Sequence, residues 1–223
     1  MSADSKAVVM DQYIDQATGI EALSGLLPTS VPNEAGASNL SGLVSLIVKP
    51  VMGLLIIRAS GAAADSVSKA LDARCGLSLS ERLQSRVHDD YCIRWMSPDY
   101  WLLSCAVEQC YAIEKALRDA VSGHIALVNV SGGFTCLELT GKHAREVLMK
   151  STGYDTHPDH LFSGKVVNTT FAKAQVTLRC ISVSENNVDN RYELIVRRSF
   201  AEYVCLWIQR AAAEYGLVIV HEA

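Results

Sequence analysis

The sequence predicts an α+β fold made of two halves, each a split β-α-β pattern of the ferredoxin-like type. Three observations carry that reading. Short β-branched or apolar runs alternate with stretches of helical periodicity, the proline turn Ser97-Pro98-Asp99 folds two runs into a hairpin, and a similar order recurs after residue 131.

The first half begins with a β-branched run over residues 54–59, followed by a helix over 61–74 that turns Val67, Ala70 and Leu71 inward. Strands over 91–95 and 101–105 flank the proline turn. A second helix, over 107–121, puts Cys110, Ile113, Leu117 and Ala120 on one face, and residues 125–130 form a buried strand. The resulting order is β-α-β-β-α-β.

The second half opens with a strand over 134–139 and a helix over 142–151 with Ala144, Val147 and Leu148 inward. Strands over 166–171 and 175–183 follow, and Asn186, Asn187, Asp189 and Asn190 make a polar turn into a strand over 192–196. A strong helix comes next. Ser199 and Glu202 have the spacing of a capping box, and Phe200, Tyr203, Val204, Trp207, Ile208, Ala211, Ala212 and Tyr215 recur at helical spacing until Gly216 stops the run. The last strand covers residues 217–220.

Residues 1–43 differ in composition from the remainder of the chain. Gly, Ser, Pro, Asn and Thr punctuate residues 18–42, and residues 1–40 hold five acids (Asp4, Asp11, Asp15, Glu21, Glu34) against one base, Lys6. This is a polar arm or linker that either stays loose or lies on a partner. The α+β domain then spans 44–223, its halves covering approximately 44–131 and 132–223.

The net charge of −4 is accounted for by that arm. A chain otherwise balanced lacks the surplus of Lys and Arg that displaces counterions from phosphates, so nucleic acid is not an expected partner. Seven scattered cysteines, mostly inside apolar runs such as Trp101-Leu102-Leu103-Ser104-Cys105, read as reduced and buried thiols. No apolar run reaches membrane-spanning length, and Asp4 and Asp11 stand where a secretory signal needs bases and an unbroken apolar core, so a cytoplasmic chain is expected.

Several groups of residues have the composition of reactive sites. In Gly153-Tyr154-Asp155-Thr156-His157-Pro158-Asp159-His160, the His157-x-x-His160 pair with Asp155 or Asp159 could ligate zinc. A zinc site needs further nearby ligands, and the cysteines lie within expected strands and helices, so no metal site is assigned. Gly141-Lys142-His143 resembles the end of a phosphate loop, but Cys136 and His143 occupy positions that need Gly and Ser or Thr. Ser131-Gly132-Gly133 lacks the full Gly-rich fingerprint and reads as a tight turn between strands. Arg197-Arg198, just before the strong helix, can either seize an anion or pair with carboxylates on this or a neighbouring chain. No Gly-x-Ser-x-Gly elbow is present, and no catalytic residue is assigned.

Taken together, Trp95-x-Ser97-Pro98-Asp99-x-Trp101-Leu102-Leu103, Val128-x-Val130-Ser131 and Leu137-x-Leu139-x-Gly141-x-x-Ala144-Arg145-x-Val147-Leu148 resemble the gamma subunit of heterotetrameric sarcosine oxidase. Asp155-x-His157-Pro158-x-x-x-Phe162-x-Gly164, Thr169-Thr170, Arg198-Ser199-Phe200-Ala201-x-Tyr203 and Ala211-Ala212-x-Glu214-Tyr215-Gly216 extend the resemblance, which covers about residues 44–216. The polar arm departs from the family's shorter start.

The resemblance implies a fold similar to the tetrahydrofolate-binding domains of the glycine-cleavage T-protein. Those relatives carry Gly-Lys and Thr at a place resembling Gly164-Lys165 and Thr169, followed by Gly-Gly and paired aspartates. Here that later stretch is Ala172-Lys173-Ala174-Gln175-Val176-Thr177-Leu178-Arg179, without a carboxylate. The resemblance also implies a non-catalytic, structural role in a flavoenzyme that oxidatively demethylates sarcosine or a related N-methyl amino acid. Alpha, beta and delta partner subunits would hold FAD, FMN, NAD, tetrahydrofolate and zinc. A stand-alone tetrahydrofolate-binding or aminomethyltransferase-like protein is the alternative, and no cofactor-binding residue is assigned in this chain.

Overall fold

The computed structural model describes residues 30–31, 44–184 and 190–222. The chain opens with β1 (Ser30–Val31) and β2 (Val44–Val48). It continues through β3 (Gly53–Arg58), α1 (Gly61–Cys75), β4 (Ser85–His88), β5 (Tyr91–Ser97), β6 (Tyr100–Cys105), α2 (Val107–Ala120) and β7 (Ala126–Asn129). A short 3-10 turn, Ser131–Gly133, leads to β8 (Phe134–Thr140), α3 (Ala144–Met149), β9 (Val166–Phe171), β10 (Ala174–Ser182), β11 (Arg191–Arg197), α4 (Ala201–Ala211) and β12 (Leu217–His221).

These strands form two sheets. The five-stranded sheet has the order β4-β5-β6-β3-β7 and the seven-stranded sheet the order β1-β12-β2-β8-β11-β10-β9. Period-two alternation gives each strand two working faces. In the smaller sheet Leu55, Ile57, Ile93 and Leu103 meet Val67 and Leu71 of α1 and Ile113 and Leu117 of α2. In the larger one Leu137, Leu139, Leu194 and Val196 meet Val147 and Leu148 of α3 and Val204 and Ile208 of α4. The opposite faces meet each other through Leu54, Leu102, Cys136 and Ile195. The layers therefore run helices, sheet, sheet, helices, and each fully buried aliphatic side chain contributes roughly 1.5–3 kcal/mol.

The expected β-α-β-β-α-β order is present in the smaller sheet, extended by the edge strand β4. Ser85-Arg86-Val87-His88 is mostly exposed, which is why its sequence shows no apolar alternation. The larger sheet departs further from expectation. β2 lies between β12 and β8, pairing parallel with the former and antiparallel with the latter. Residues 44–48 therefore belong to the second sheet rather than to the first half of the chain. From the expected arm, Ser30 and Val31 pair antiparallel with Val218 and Leu217 of β12. Residues 1–29 and 32–43, and residues 185–189 of the expected polar turn, lie outside the described residues.

The strong C-terminal helix also differs from its sequence reading. Arg198–Phe200 form a 3-10 turn, α4 starts at Ala201, and the cap residue Phe200 makes no side-chain cap hydrogen bond. The Ser199/Glu202 capping box is therefore not formed. An N-cap hydroxyl needs an extended residue immediately before the first helical turn, and the 3-10 turn moves the helix start past Ser199. The buried stripe is Ala201, Val204, Cys205 and Ile208, whereas Phe200 and Tyr203 are exposed.

Polar contacts join the sheets where their apolar contact ends. Arg94 of β5 gives Nε to Glu193 Oε1 at 2.7 Å and Nη2 to Oε2 at 2.8 Å, a bidentate pair across the two sheets. Its Nη1 donates to the Cys92 carbonyl and Ser104 Oγ. Arg179, opposite Glu193 in the β10–β11 ladder, gives Nε and Nη2 to the same two oxygens at 3.2 and 3.0 Å. All three side chains are buried. Burial alone would raise the Glu193 carboxyl, but the two guanidiniums outweigh it and hold the pKa down to about 2.

The β9–β10 hairpin contains local strain. Ala172 and Lys173, between the paired Phe171 and Ala174, have φ of +49° and +73°. Two positive φ values mark a type I′ turn, which favours Asn and Gly. Ala172 is buried and its N–H reaches the Ser151 carbonyl at 2.8 Å, so that site is constrained, while Lys173 is exposed.

Two measurements test this architecture. Lys173→Gly relieves a left-handed side-chain residue and is expected to stabilise the fold by about 0.5–1 kcal/mol, read as a raised urea midpoint at unchanged slope. Glu193→Gln leaves two buried guanidiniums without their carboxylate and is expected to cost about 3–5 kcal/mol. The pH dependence has a definite sign. The native Glu193 pKa of about 2 lies below the ordinary value of 4.5, so its stabilisation is complete above about pH 4.5 and is lost as pH falls through about 2. Urea titrations on both proteins across that window should show a shallower acid loss in the variant; equal pH slopes would contradict the assignment.

Candidate functional site

A cleft of about 530 Å³ opens beside the Arg94–Glu193–Arg179 group, with walls from both sheets. Strand order fixes its charges. Glu138 and Glu193 are directly opposite on β8 and β11, a like-charge pair that must be separated by cations to be tolerated. Arg191 Nε binds Glu138 Oε1 at 2.7 Å, and Lys49 Nζ lies 3.4 Å from Glu138 Oε2 and 2.9 Å from Glu222 Oε1. Burial would lower the Lys49 pKa, but the Glu222 hydrogen bond and both carboxylates' charges raise it on balance. The hydrogen bond from Arg191 to Glu138 raises the Arg191 pKa.

This is an ordered alternation of cations and anions on a β surface. Each carboxylate at its base is committed to guanidinium or ammonium groups, and a carboxyl held at about 2 is a poor proton acceptor near neutrality. Cys92, which lines the cleft, is pushed up by burial and so is not a ready thiolate. The geometry ties the two sheets to each other through charged side chains.

The residues singled out from sequence fall elsewhere. In the His-x-x-His loop, Asp155 Oδ1 accepts the His157 N–H at 2.9 Å, and His157 Nδ1 accepts the Asp159 N–H at 3.4 Å. His160 Nε2 lies 3.5 Å from Asp155 Oδ2. These contacts are local, the side chains are largely exposed, and buried Thr156 and Leu161 anchor the loop. No group of three or more potential metal ligands converges among the described residues.

His143 stacks on Tyr215 with ring centres 4.4 Å apart, and Gly141 gives its N–H to the Asn190 carbonyl, so the segment resembling a phosphate loop packs against the C-terminal region. Ser131 accepts the Leu54 N–H on Oγ and donates that hydroxyl to Asn129 Oδ1, making the turn that carries the chain from one sheet to the other. Arg197 lies 5.8 Å from the Phe134 ring centre, a cation–π contact. Arg198 starts the 3-10 turn. Lys165 sits over Phe162, and Thr169 hydrogen-bonds Thr152. All seven cysteines are free and buried; burial pushes Cys136 and Cys205 up to about 12 and Cys180 to about 11.

Sequence reasoning passed over the cleft because its charges sit singly inside strands. The usable signal was there. Arg94, Glu138, Arg179 and Glu193 each interrupt an apolar strand at a position that period two turns toward the other sheet. A buried charge requires a partner, and four of them on expected strands imply contacts across the layers.

The sarcosine oxidase, gamma subunit family matches residues 59–214, a span that includes strands of both sheets. The sarcosine oxidase subunit gamma of Corynebacterium sp. (strain U-96) is 27% identical over 125 residues, 56% of this chain and 57% of that relative. The chain thus aligns with little more than half the length of that curated relative.

Solved structures show the same fold. The heterotetrameric sarcosine oxidase from Corynebacterium sp. U-96, in complex with pyrrole 2-carboxylate, matches with a TM-score of 0.66 at 23% identity, covering 77% of this chain and 85% of that one. The glycine cleavage system aminomethyltransferase T from Bartonella henselae matches with a TM-score of 0.58 at 13% identity, covering 80% of this chain and 48% of that one. The family match extends over well more than half of the sequence and takes in Arg94, Glu138, Arg179, Arg191 and Glu193, whereas Lys49 and Glu222 of the cleft lie outside it. The chain belongs to the sarcosine oxidase gamma subunit family.

Proposed function

We propose that this chain is a non-catalytic structural subunit of a heterotetrameric flavoenzyme that oxidatively demethylates sarcosine or a related N-methyl amino acid. In this reading the complex yields glycine, hydrogen peroxide and formaldehyde or 5,10-methylenetetrahydrofolate. Alpha, beta and delta partner subunits carry FAD, FMN, NAD, tetrahydrofolate and zinc, and the assembly works in the cytoplasm. The carrying observation is the family match over residues 59–214. No helix among the described residues is long and apolar enough to cross a membrane.

Two features support a bracing role for this chain. The charged groups at the base of the cleft are tied to one another rather than left free for turnover. On the outer face of α4, Tyr203 and Leu206 are exposed one helical turn apart, with Phe200 before them and Met149 exposed on α3. An apolar face of this kind is suited to burial against another chain.

Co-expression with flavin-bearing chains of such an oxidase is the primary test. The chain is expected to co-purify with them as a coloured complex, and a colourless, monomeric and fully stable product in their presence would refute the role. Changing both Tyr203 and Leu206 to Glu should remove the chain from that complex while leaving its own melting temperature within about 2 °C, as exposed substitutions usually do. Calorimetric titration with tetrahydrofolate separates the alternative: tight binding by the isolated chain would favour a stand-alone folate protein, whereas the absence of heat is expected here.

A further inference from the structure

The cleft contains a buried cation whose bonding is incomplete. Arg179 is 8% exposed and directs Nε and Nη2 at Glu193, leaving Nη1 with no protein partner among the described residues. That nitrogen is not sealed from solvent, and Arg179 lines the cleft, so its open edge faces that space. A guanidinium has five N–H donors in a fixed fork, and a planar carboxylate is its matching acceptor.

Charge favours an anion at this depth. Arg94 and Arg179 share one carboxylate, which leaves one positive charge in excess, whereas Lys49 and Arg191 are matched by Glu138 and Glu222. The mouth has the opposite sign. Asp89, Asp90 and Glu108 line the same cleft, and all three are exposed. Apolar wall is supplied by Met52, Val87 and Ile181.

An inorganic anion would satisfy the base and be repelled at the mouth, and a simple amine would meet the reverse. A molecule with both charges satisfies both ends. We propose that the cleft binds a free amino acid as its zwitterion, with the carboxylate on Arg179 Nη1, the ammonium toward the acidic mouth and the side chain along the apolar wall. The space, about 530 Å³, is within the usual range for small-molecule sites and leaves room for water around such a ligand. This assigns the chain a ligand site independent of any reaction carried out on partner subunits.

Ligand-observed NMR on the full chain tests the proposal with glycine, L-valine and L-glutamate as probes, alongside the amide and N-acetyl derivatives of L-valine and sodium acetate. At least one amino acid should saturate, with either valine derivative weaker than L-valine by about tenfold. Arg179→Lys keeps the charge but removes the fork and should weaken the amino acid by about tenfold. Asp89→Asn with Asp90→Asn alters only the exposed mouth and keeps the test decisive if Arg179→Lys does not fold. It should weaken the amino acid by about threefold and leave N-acetylvaline unchanged. Failure of every amino acid to saturate overturns the site. So does saturation unaffected by the mouth variant, or acetate binding as tightly as the amino acids, which would indicate an adventitious ion only. The same titration on the assembled complex is expected to give the same response.

Discussion

Two guanidiniums sharing one buried carboxylate form the constraint to which much of this fold is tied. Arg94 lies on β5 of the smaller sheet, while Arg179 and Glu193 lie on adjacent strands of the larger one. Removing such groups from water costs several kcal/mol per ion, and their attraction repays it only in good geometry. Here Glu193 receives paired hydrogen bonds from both sides, and the remaining Arg94 donors reach Cys92 and Ser104. The group is therefore better understood as fixing an arrangement than as adding stability. A one-residue slip of β5, β10 or β11 would turn one of these charges into a helix-facing core, which makes the native register of all three strands interdependent.

The same demand explains why the cleft is polar while the layers around it are not. Leu54, Leu102, Cys136 and Ile195 close the sheet-to-sheet contact at one place, and charged side chains take over beyond it. Glu138 and Glu193 are neighbours across a ladder, so the cations around them are required by the sheet itself. A surface built in this way is rigid in charge as well as in shape. Each buried carboxylate of the group is held by cations on neighbouring strands, so charge and strand register are fixed together.

Much of the fold was legible in the sequence because its elements are marked by apolar runs and by helical spacing. Apolar runs marked β3, β5, β6, β8 and β11, most of them buried on both faces, and helical spacing marked α1 and α2, where Val67, Leu71, Ile113 and Leu117 all reach the core. β2 was concealed by its position next to the polar arm and by its short length, although Val44, Leu46 and Val48 do alternate with Ser45 and Ile47. β4 had no apolar pattern to read. The Ser199 capping box failed because local spacing does not record whether a 3-10 turn precedes the helix, as Arg198–Phe200 does here. The candidate site was harder still. Its charges are distributed over β5, β8, β10 and β11, and their assembly depends on topology, whereas the compact His157 and His160 loop attracted attention by composition alone and makes only local bonds.

The insertion of β2 between β12 and β8 has a consequence for how the molecule is partitioned. Val48 is opposite Leu137, and the Lys49 N–H reaches the Cys136 carbonyl at 3.0 Å, so the chain leaves and re-enters the larger sheet at adjoining points. Everything from β3 to β7 is thus a guest carried within one hairpin of a host. The host's hydrogen-bonded ladder is continuous across the junction, and the guest returns its own chain ends to the place from which they departed. The buried Arg94 is the latch that fastens this passenger to its carrier away from the junction itself.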